Sequence, residues 1–271
     1  MKFKNFLLIS LISFLLFSCE NKSEQETEQE NPKENFHLYL LMGQSNMAGR
    51  GLVGAIDTIN HPRVYKLDSS MNWVLAKDPM HFDKPVAGVG LGLTFGKIMA
   101  NSNSDVKIGL IPTAVGGSSI HAWFRDSLHQ QTNVYPFNDM VLRAKEALKE
   151  GTIKGILWHQ GESDTGSEAR VSSYSEKFFA MMDSVYKELE IEPVPVVIGE
   201  IGHFFYGKAP LAENLNQQLQ EIALSQPCIG LVSAEGLHHK GDSTHFDSDS
   251  YHELGRRYAV EMMNLQSNCQ N

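Results

Sequence analysis

From residue 36 onward, short apolar runs alternate with longer stretches of helical period. The run 36–42, Phe-His-Leu-Tyr-Leu-Leu-Met, is long enough for a central strand and too short for a helix. Comparable runs at 106–114, 153–159, 194–201 and 229–234 read as further buried strands. Between them, 91–100, 136–150, 168–190, 211–225 and 250–264 carry apolar residues at helical spacing. Gly151 supplies a stop signal for the second of these helices, Pro193 follows the third, and Pro227 ends the fourth. Gly92 and Gly96 interrupt the first at a cost of about 1 kcal/mol each relative to alanine, which points to close packing on the sheet. Residues 51–90 are irregular and rich in Gly, Pro, Asp and His, with a candidate short strand at 64–67, and are expected to form a long loop over one edge of the site. Strand and helix alternate, so the expected class is α/β, a parallel sheet with helices on both faces. In such sheets chemistry gathers at the carboxyl ends of the strands. The polar clusters at 43–46, 116–119, 159–164 and 235–245 all fall at such ends.

The N-terminus breaks this pattern. Lys2 and Lys4 precede an apolar run at 6–17 interrupted only by serines, and then come Leu16-Phe17-Ser18-Cys19. A small residue before a cysteine at the end of such a run resembles a bacterial lipobox. The resemblance implies cleavage before Cys19 and lipid attachment to its sulfur. The run is shorter than the roughly 20 residues that span a bilayer, which argues against an uncleaved anchor helix. Residues 20–34 are mainly Glu, Gln, Asn, Lys and Ser without a hydrophobic period, and cannot bury enough apolar surface to fold. The expected organisation is therefore a signal peptide at 1–18, a lipidated Cys19 with its tether at 19–35, and one domain at 36–271. That places the protein outside the cytoplasm, lipid-anchored to a bacterial membrane.

The net charge of −9 lacks the basic surface that a nucleic-acid partner requires. Apolar residues at 42% are ordinary for a globular domain. Cys228 and Cys269 would share an oxidising compartment, where a bridge between the C-terminal tail and the last strand is an open alternative.

Ser45 stands where strand 36–42 turns into Gly43-Gln44-Ser45-Asn46, the position of a nucleophile that a base can activate. The candidate base is His245, in Asp242-Ser243-Thr244-His245, whose three-residue spacing lets Asp242 reach the imidazole. The same spacing also describes a surface histidine beside solvated acids, which is a common pattern. Candidate oxyanion donors are the backbone N–H groups of Ser45 and Gly117 and the side-chain amide of Gln160. Glu162, in Trp158-His159-Gln160-Gly161-Glu162-Ser163-Asp164, is either a second carboxylate for the imidazole or a brace for its loop. His159 and the His238-His239 pair lack a third ligand spaced for one face, so no metal and no other cofactor is expected.

Four motifs occur in order: Gly43-Gln44-Ser45-Asn46-Met47-Ala48-Gly49, then Gly116-Gly117-Ser118-Ser119-Ile120 with Trp123, then the 158–164 block, then Asp242-Ser243-Thr244-His245. Together they resemble the sialate O-acetylesterase and acetylxylan esterase branch of the SGNH (GDSL-like) hydrolases. The resemblance implies a three-layer flavodoxin-like fold and metal-free hydrolysis of acetyl esters on carbohydrates. It maps the nucleophile onto Ser45, the base onto His245, the acid onto Asp242 with Glu162 as the alternative, and the oxyanion donors onto Ser45, Gly117 and Gln160. Gln44, Asn46, Trp123 and Arg125 are candidates for the substrate pocket, with a core position open for Trp123 and a surface position for Arg125. The expected partner is an acetylated glycan. The runner-up reading is a glycan-binding lipoprotein of the same fold without turnover.

Overall fold

The computed structural model describes residues 33–269, together with Met1. The signal segment, Cys19 and all but the last three tether residues lie outside that range. The described chain builds one seven-stranded sheet in the order β3-β2-β4-β1-β5-β6-β7. The strands are β1 Phe36–Gly43, β2 Val64–Leu67, β3 Trp73–Leu75, β4 Lys107–Pro112, β5 Thr152–His159, β6 Val196–Gly199 and β7 Ile229–Val232. All pairs are parallel except β2 with β3. The helices are α1 Ser45–Ala48, α2 Leu91–Ser102, α3 Pro136–Ala147, α4 Glu168–Ser172, α5 Tyr174–Leu189, α6 Ala212–Ser225 and α7 Ser248–Asn268. The parallel α/β architecture read from the sequence is the one observed.

Side chains alternate across the strands because the period of a strand is two. Leu38, Leu40 and Met42 of β1 join Ile156, Trp158 and Ile198 in one core, which α3, α5 and α6 cover with Phe137, Met140, Phe178, Met181 and Leu219. Tyr39 and Leu41 face the other way with Leu110, Leu157 and Val197, under Phe95 of α2 and Tyr251, Tyr258 and Met262 of α7. A Cβ at Gly96 would stand 2.8 Å from Val64 and 3.0 Å from Leu110, so the expected close approach of α2 to the sheet is real.

Two elements depart from the sequence reading. The irregular stretch before α2 holds a second strand, β3, which closes an antiparallel hairpin at the sheet edge through Tyr65↔Leu75 and Leu67↔Trp73. The single helix expected at 168–190 is two. Ser173 separates α4 from α5, and its hydroxyl donates to the carbonyl of Ala169 at 2.7 Å. Serine hydroxyls compete in this way with the backbone ladder and favour helix ends over helix interiors. At the C-terminus, Asp247 caps α7 by accepting from Ser250 N–H at 2.8 Å. A disulfide joins Cys228 to Cys269, with the Cα atoms 5.8 Å apart.

Candidate active site

The site is assembled on the carboxyl ends of β1, β4 and β5 and on the loop between β7 and α7. Gly43 ends β1 at a φ of +137°, a conformation that L side chains rarely adopt. A Cβ there would collide with the backbone carbonyl of His159 on β5. The turn is tied to β5 by Gln44 N–H donating to that same carbonyl at 3.1 Å. Ser45 then opens α1. As a first-turn residue its N–H has no intrahelical acceptor, and it has no hydrogen bond among the described residues.

His245 reaches Ser45 from the far end of the chain. Its Nε2 lies 3.0 Å from Ser45 Oγ, and its Nδ1 lies 2.7 Å from Asp242 Oδ2. The other oxygen of Asp242 accepts from the backbone N–H groups of Thr244 at 2.9 Å and His245 at 2.8 Å. The three-residue spacing thus wraps the loop around its own carboxylate. Burial pushes the Asp242 carboxyl up, but the donors from His245 and Thr244 outweigh it and hold it down at about 2. Burial lowers the His245 imidazole, only partly offset by Asp242, so it sits below its ordinary 6.5. At neutral pH this places a neutral base beside the serine and an ionised acid behind the base.

Gly117 follows β4 at a φ of +87°, and its N–H also has no partner among the described residues. The neighbouring Gly116 N–H donates to Asp83 Oδ2 at 2.8 Å, and Asp83 forms a buried ion pair with Arg50 at 2.6 Å. Asp83 lies in the irregular stretch before α2, where no local pattern singles it out. Its role in holding the glycine turn emerges only in three dimensions.

The Gln160 amide, the third candidate oxyanion donor, is already engaged by protein. It is fully buried, and its amide nitrogen faces three acceptors: Gln44 Oε1 at 3.0 Å, Ser118 O at 3.1 Å and Asp164 Oδ2 at 2.6 Å. Two N–H bonds are already shared among three acceptors, so none is free for substrate. Gln44 Oε1 accepts from both Gln160 and Ser163 N–H, while Gln44 Nε2 has no partner among the described residues. The amide left available is therefore that of Gln44.

Glu162 does not touch the imidazole. One of its oxygens accepts from Asn46 Nδ2, and the other has no partner among the described residues. Burial pushes its carboxyl up to about 7, against hydrogen bonds from its own N–H and Asn46. Of the two acids considered, Asp242 is the one on the base.

Three of the pocket candidates move elsewhere. Asn46 is fully buried, with its oxygen and nitrogen both engaged by protein. Trp123 is a core residue, edge-on to Trp158 at 5.3 Å and bonded through Nε1 to Ser118 Oγ at 3.0 Å. Arg125 lies on the surface, paired with Glu188 of α5. His159 is buried in the core, with Nδ1 3.0 Å from the Tyr258 hydroxyl, and burial lowers its imidazole to about 3.

A mostly parallel α/β sheet that brings a serine, a histidine and an aspartate together at its carboxyl edge is the arrangement of the SGNH hydrolases. More narrowly, residues 35–264 match the family model described as carbohydrate esterase, sialic acid-specific acetylesterase, and the chain belongs to that family. It is a carbohydrate esterase acting on acetylated sugars. It is 29% identical over 254 residues to an Arabidopsis thaliana protein named "Probable carbohydrate esterase", covering 86% of this chain and 92% of that one. The solved structure of an Arabidopsis thaliana protein superposes with a TM-score of 0.75 at 28% identity, over 85% of this chain and 98% of that chain. NanS shares the fold with a TM-score of 0.68 at 16% identity, over 87% of this chain and 98% of its own. A carbohydrate acetylesterase from Xanthomonas citri shares it with a TM-score of 0.67 at 20% identity, over 85% of this chain and 56% of its own.

Proposed function

We propose that the protein removes O-acetyl groups from glycans through an acetyl-enzyme on Ser45. The observation that carries this reading is the continuous chain Ser45 Oγ, His245 Nε2, His245 Nδ1, Asp242 Oδ2, with links of 3.0 Å and 2.7 Å across the ring. Ser45 Oγ attacks the acetyl carbonyl while His245 Nε2 takes the hydroxyl proton. Negative charge develops on the carbonyl oxygen, where the N–H groups of Ser45 and Gly117, unpartnered among the described residues, are the donors on offer. Collapse of the tetrahedral species breaks the bond to the sugar oxygen, and His245 returns the proton to that alkoxide. Water, giving its proton to His245, then attacks the acetyl carbon, and breaking the bond to Oγ releases acetate as His245 returns that proton to Ser45. Asp242 holds the imidazole in the tautomer that leaves Nε2 free to accept, and stabilises the imidazolium that forms.

The test is acetate release from an aryl acetate by the soluble domain, compared with Ser45→Ala. Ser45→Ala is expected to lose essentially all turnover, and a variant running at full rate would sink the mechanism. Acetate release across a panel including O-acetylated sialic acid and acetylated xylan identifies the glycan. The same proposal holds the enzyme at a bacterial membrane through Cys19. Metabolic incorporation of a labelled fatty acid should occur in the full chain and vanish in Cys19→Ala, and equal labelling of both would refute the anchor.

A further inference from the structure

The side chain next to the nucleophile makes four hydrogen bonds, and none leads to open space. Asn46 Nδ2 donates to the carbonyl of Thr244 at 3.0 Å and to Glu162 Oε1. Asn46 Oδ1 accepts from Phe246 N–H at 3.4 Å and from the Tyr251 hydroxyl at 2.7 Å. Thr244 and Phe246 are the residues immediately before and after His245. One amide therefore grips the backbone on both sides of the base, and that amide is covalently attached to the residue after Ser45.

The loop it grips has little regular structure of its own. Among the described residues, it closes on itself through Lys240 N–H to His245 O at 3.0 Å and Asp247 N–H to His238 O at 3.0 Å, and Ser243 adopts a φ of +52°. Those bonds set the shape of the loop. The Asn46 contacts tie it to the nucleophile's own segment, since α1 carries both Ser45 and Asn46, while Lys208 Nζ on Thr244 Oγ1 and Lys240 Nζ on the Arg50 carbonyl hold the loop from other sides. Glu162 on the β5 side and Tyr251 of α7 fix which way the amide faces, with an acceptor opposite its nitrogen and a donor opposite its oxygen.

We infer that Asn46 is a positioning residue that sets the distance between Ser45 and His245, with Glu162 and Tyr251 orienting its amide. The inference rests on the acetyl-enzyme reading above and deepens it. It also explains why a polar residue beside the nucleophile is completely buried: it faces the scaffold of the base and not the sugar.

The experiment is a double-mutant cycle on the soluble domain with Asn46→Ala, Tyr251→Phe and the pair, read as kcat and KM on an aryl acetate and as the labelling rate of Ser45 by a fluorophosphonate. Misplacing a base by about 1 Å can cost about 100-fold in rate. Asn46→Ala is accordingly expected to lower kcat and the labelling rate by about that factor, with KM within about twofold. Tyr251→Phe keeps the ring but removes the hydroxyl that donates to Asn46 Oδ1, and should lower kcat by about fivefold. Because Tyr251 acts through Asn46, the pair should be no slower than Asn46→Ala alone. An unchanged kcat in Asn46→Ala, a loss confined to KM, or losses that multiply in the pair would each overturn the inference. Should Asn46→Ala fail to fold, Tyr251→Phe decides: parental kcat and labelling rate refute the role. Ser45→Ala run alongside keeps the two readings apart, since its inactivity beside a fully active Asn46→Ala would remove the positioning role and leave the mechanism standing.

Discussion

Replacing Asp242 by asparagine tests the division of labour between the two acids near the site. The substitution keeps an oxygen for the N–H groups of Thr244 and His245 but removes the charge and sets an amide against His245 Nδ1. An imidazolium and a carboxylate with centres about 4 Å apart attract by about 4 kcal/mol at an effective dielectric of about 20. The Asp242 side chain is 37% exposed, so solvent screening trims this to about 2–3 kcal/mol. At 1.36 kcal/mol per decade, the expected loss in kcat is about 30-fold to 150-fold, and more if the ring adopts the wrong tautomer. Glu162→Gln should behave differently. Its carboxyl is already pushed to about 7, and a glutamine oxygen still accepts from Asn46. Less than about threefold in kcat is expected, because burial already favours the neutral form that a glutamine mimics. The assay is steady-state hydrolysis of an aryl acetate at pH 7, with circular dichroism to confirm folding. A larger loss for Glu162→Gln than for Asp242→Asn would refute the assignment of the acid.

Three further outcomes follow from the same geometry. The acid limb of kcat/KM should fall below pH 6.5, because burial lowers His245; Asp242→Asn removes the influence that raises it and should move the limb lower still, and a shift to higher pH would contradict the arrangement. The Cys228–Cys269 disulfide closes a separation of 41 residues, worth up to about 4 kcal/mol by loop-closure entropy; the double serine variant should melt about 8–16 °C lower with kcat unchanged, since Cys228 precedes β7 at the sheet edge opposite the site. Gly43→Ala forces a side chain onto the His159 carbonyl at a positive φ and should destabilise the domain by about 3 kcal/mol or more, measurable as a loss of about 6–12 °C in Tm; a parental Tm would show that the turn can relax.

The strands and their polar ends were legible because each depends on local pattern. An apolar run ending in Gly-Gln-Ser-Asn announces a strand and its turn, and Asp242 to His245 is a contact within one loop. What the sequence could not show depends on partners far away. The edge strand β3 is three residues long and exists through its pairing with β2. Gln160 looks like a donor beside a strand end, and only the positions of Gln44, Ser118 and Asp164 show its amide to be engaged. Asn46 and Trp123 read as pocket residues because polarity and aromaticity are visible in a sequence while the direction of a side chain is not. Asp83 carries no signal at all until Gly116 is found against it.

Strand β1 is also a spacer with a direction. Its first residue, Phe36, pairs with Lys107 at the amino edge of the sheet, and its last, Gly43, delivers Ser45 at the carboxyl edge. Seven steps at about 3.3 Å each put about 23 Å between the two. Any attachment upstream of Phe36 would therefore hold the domain by its back. A segment leading into Phe36 therefore joins the domain without crossing the strand ends that carry Ser45.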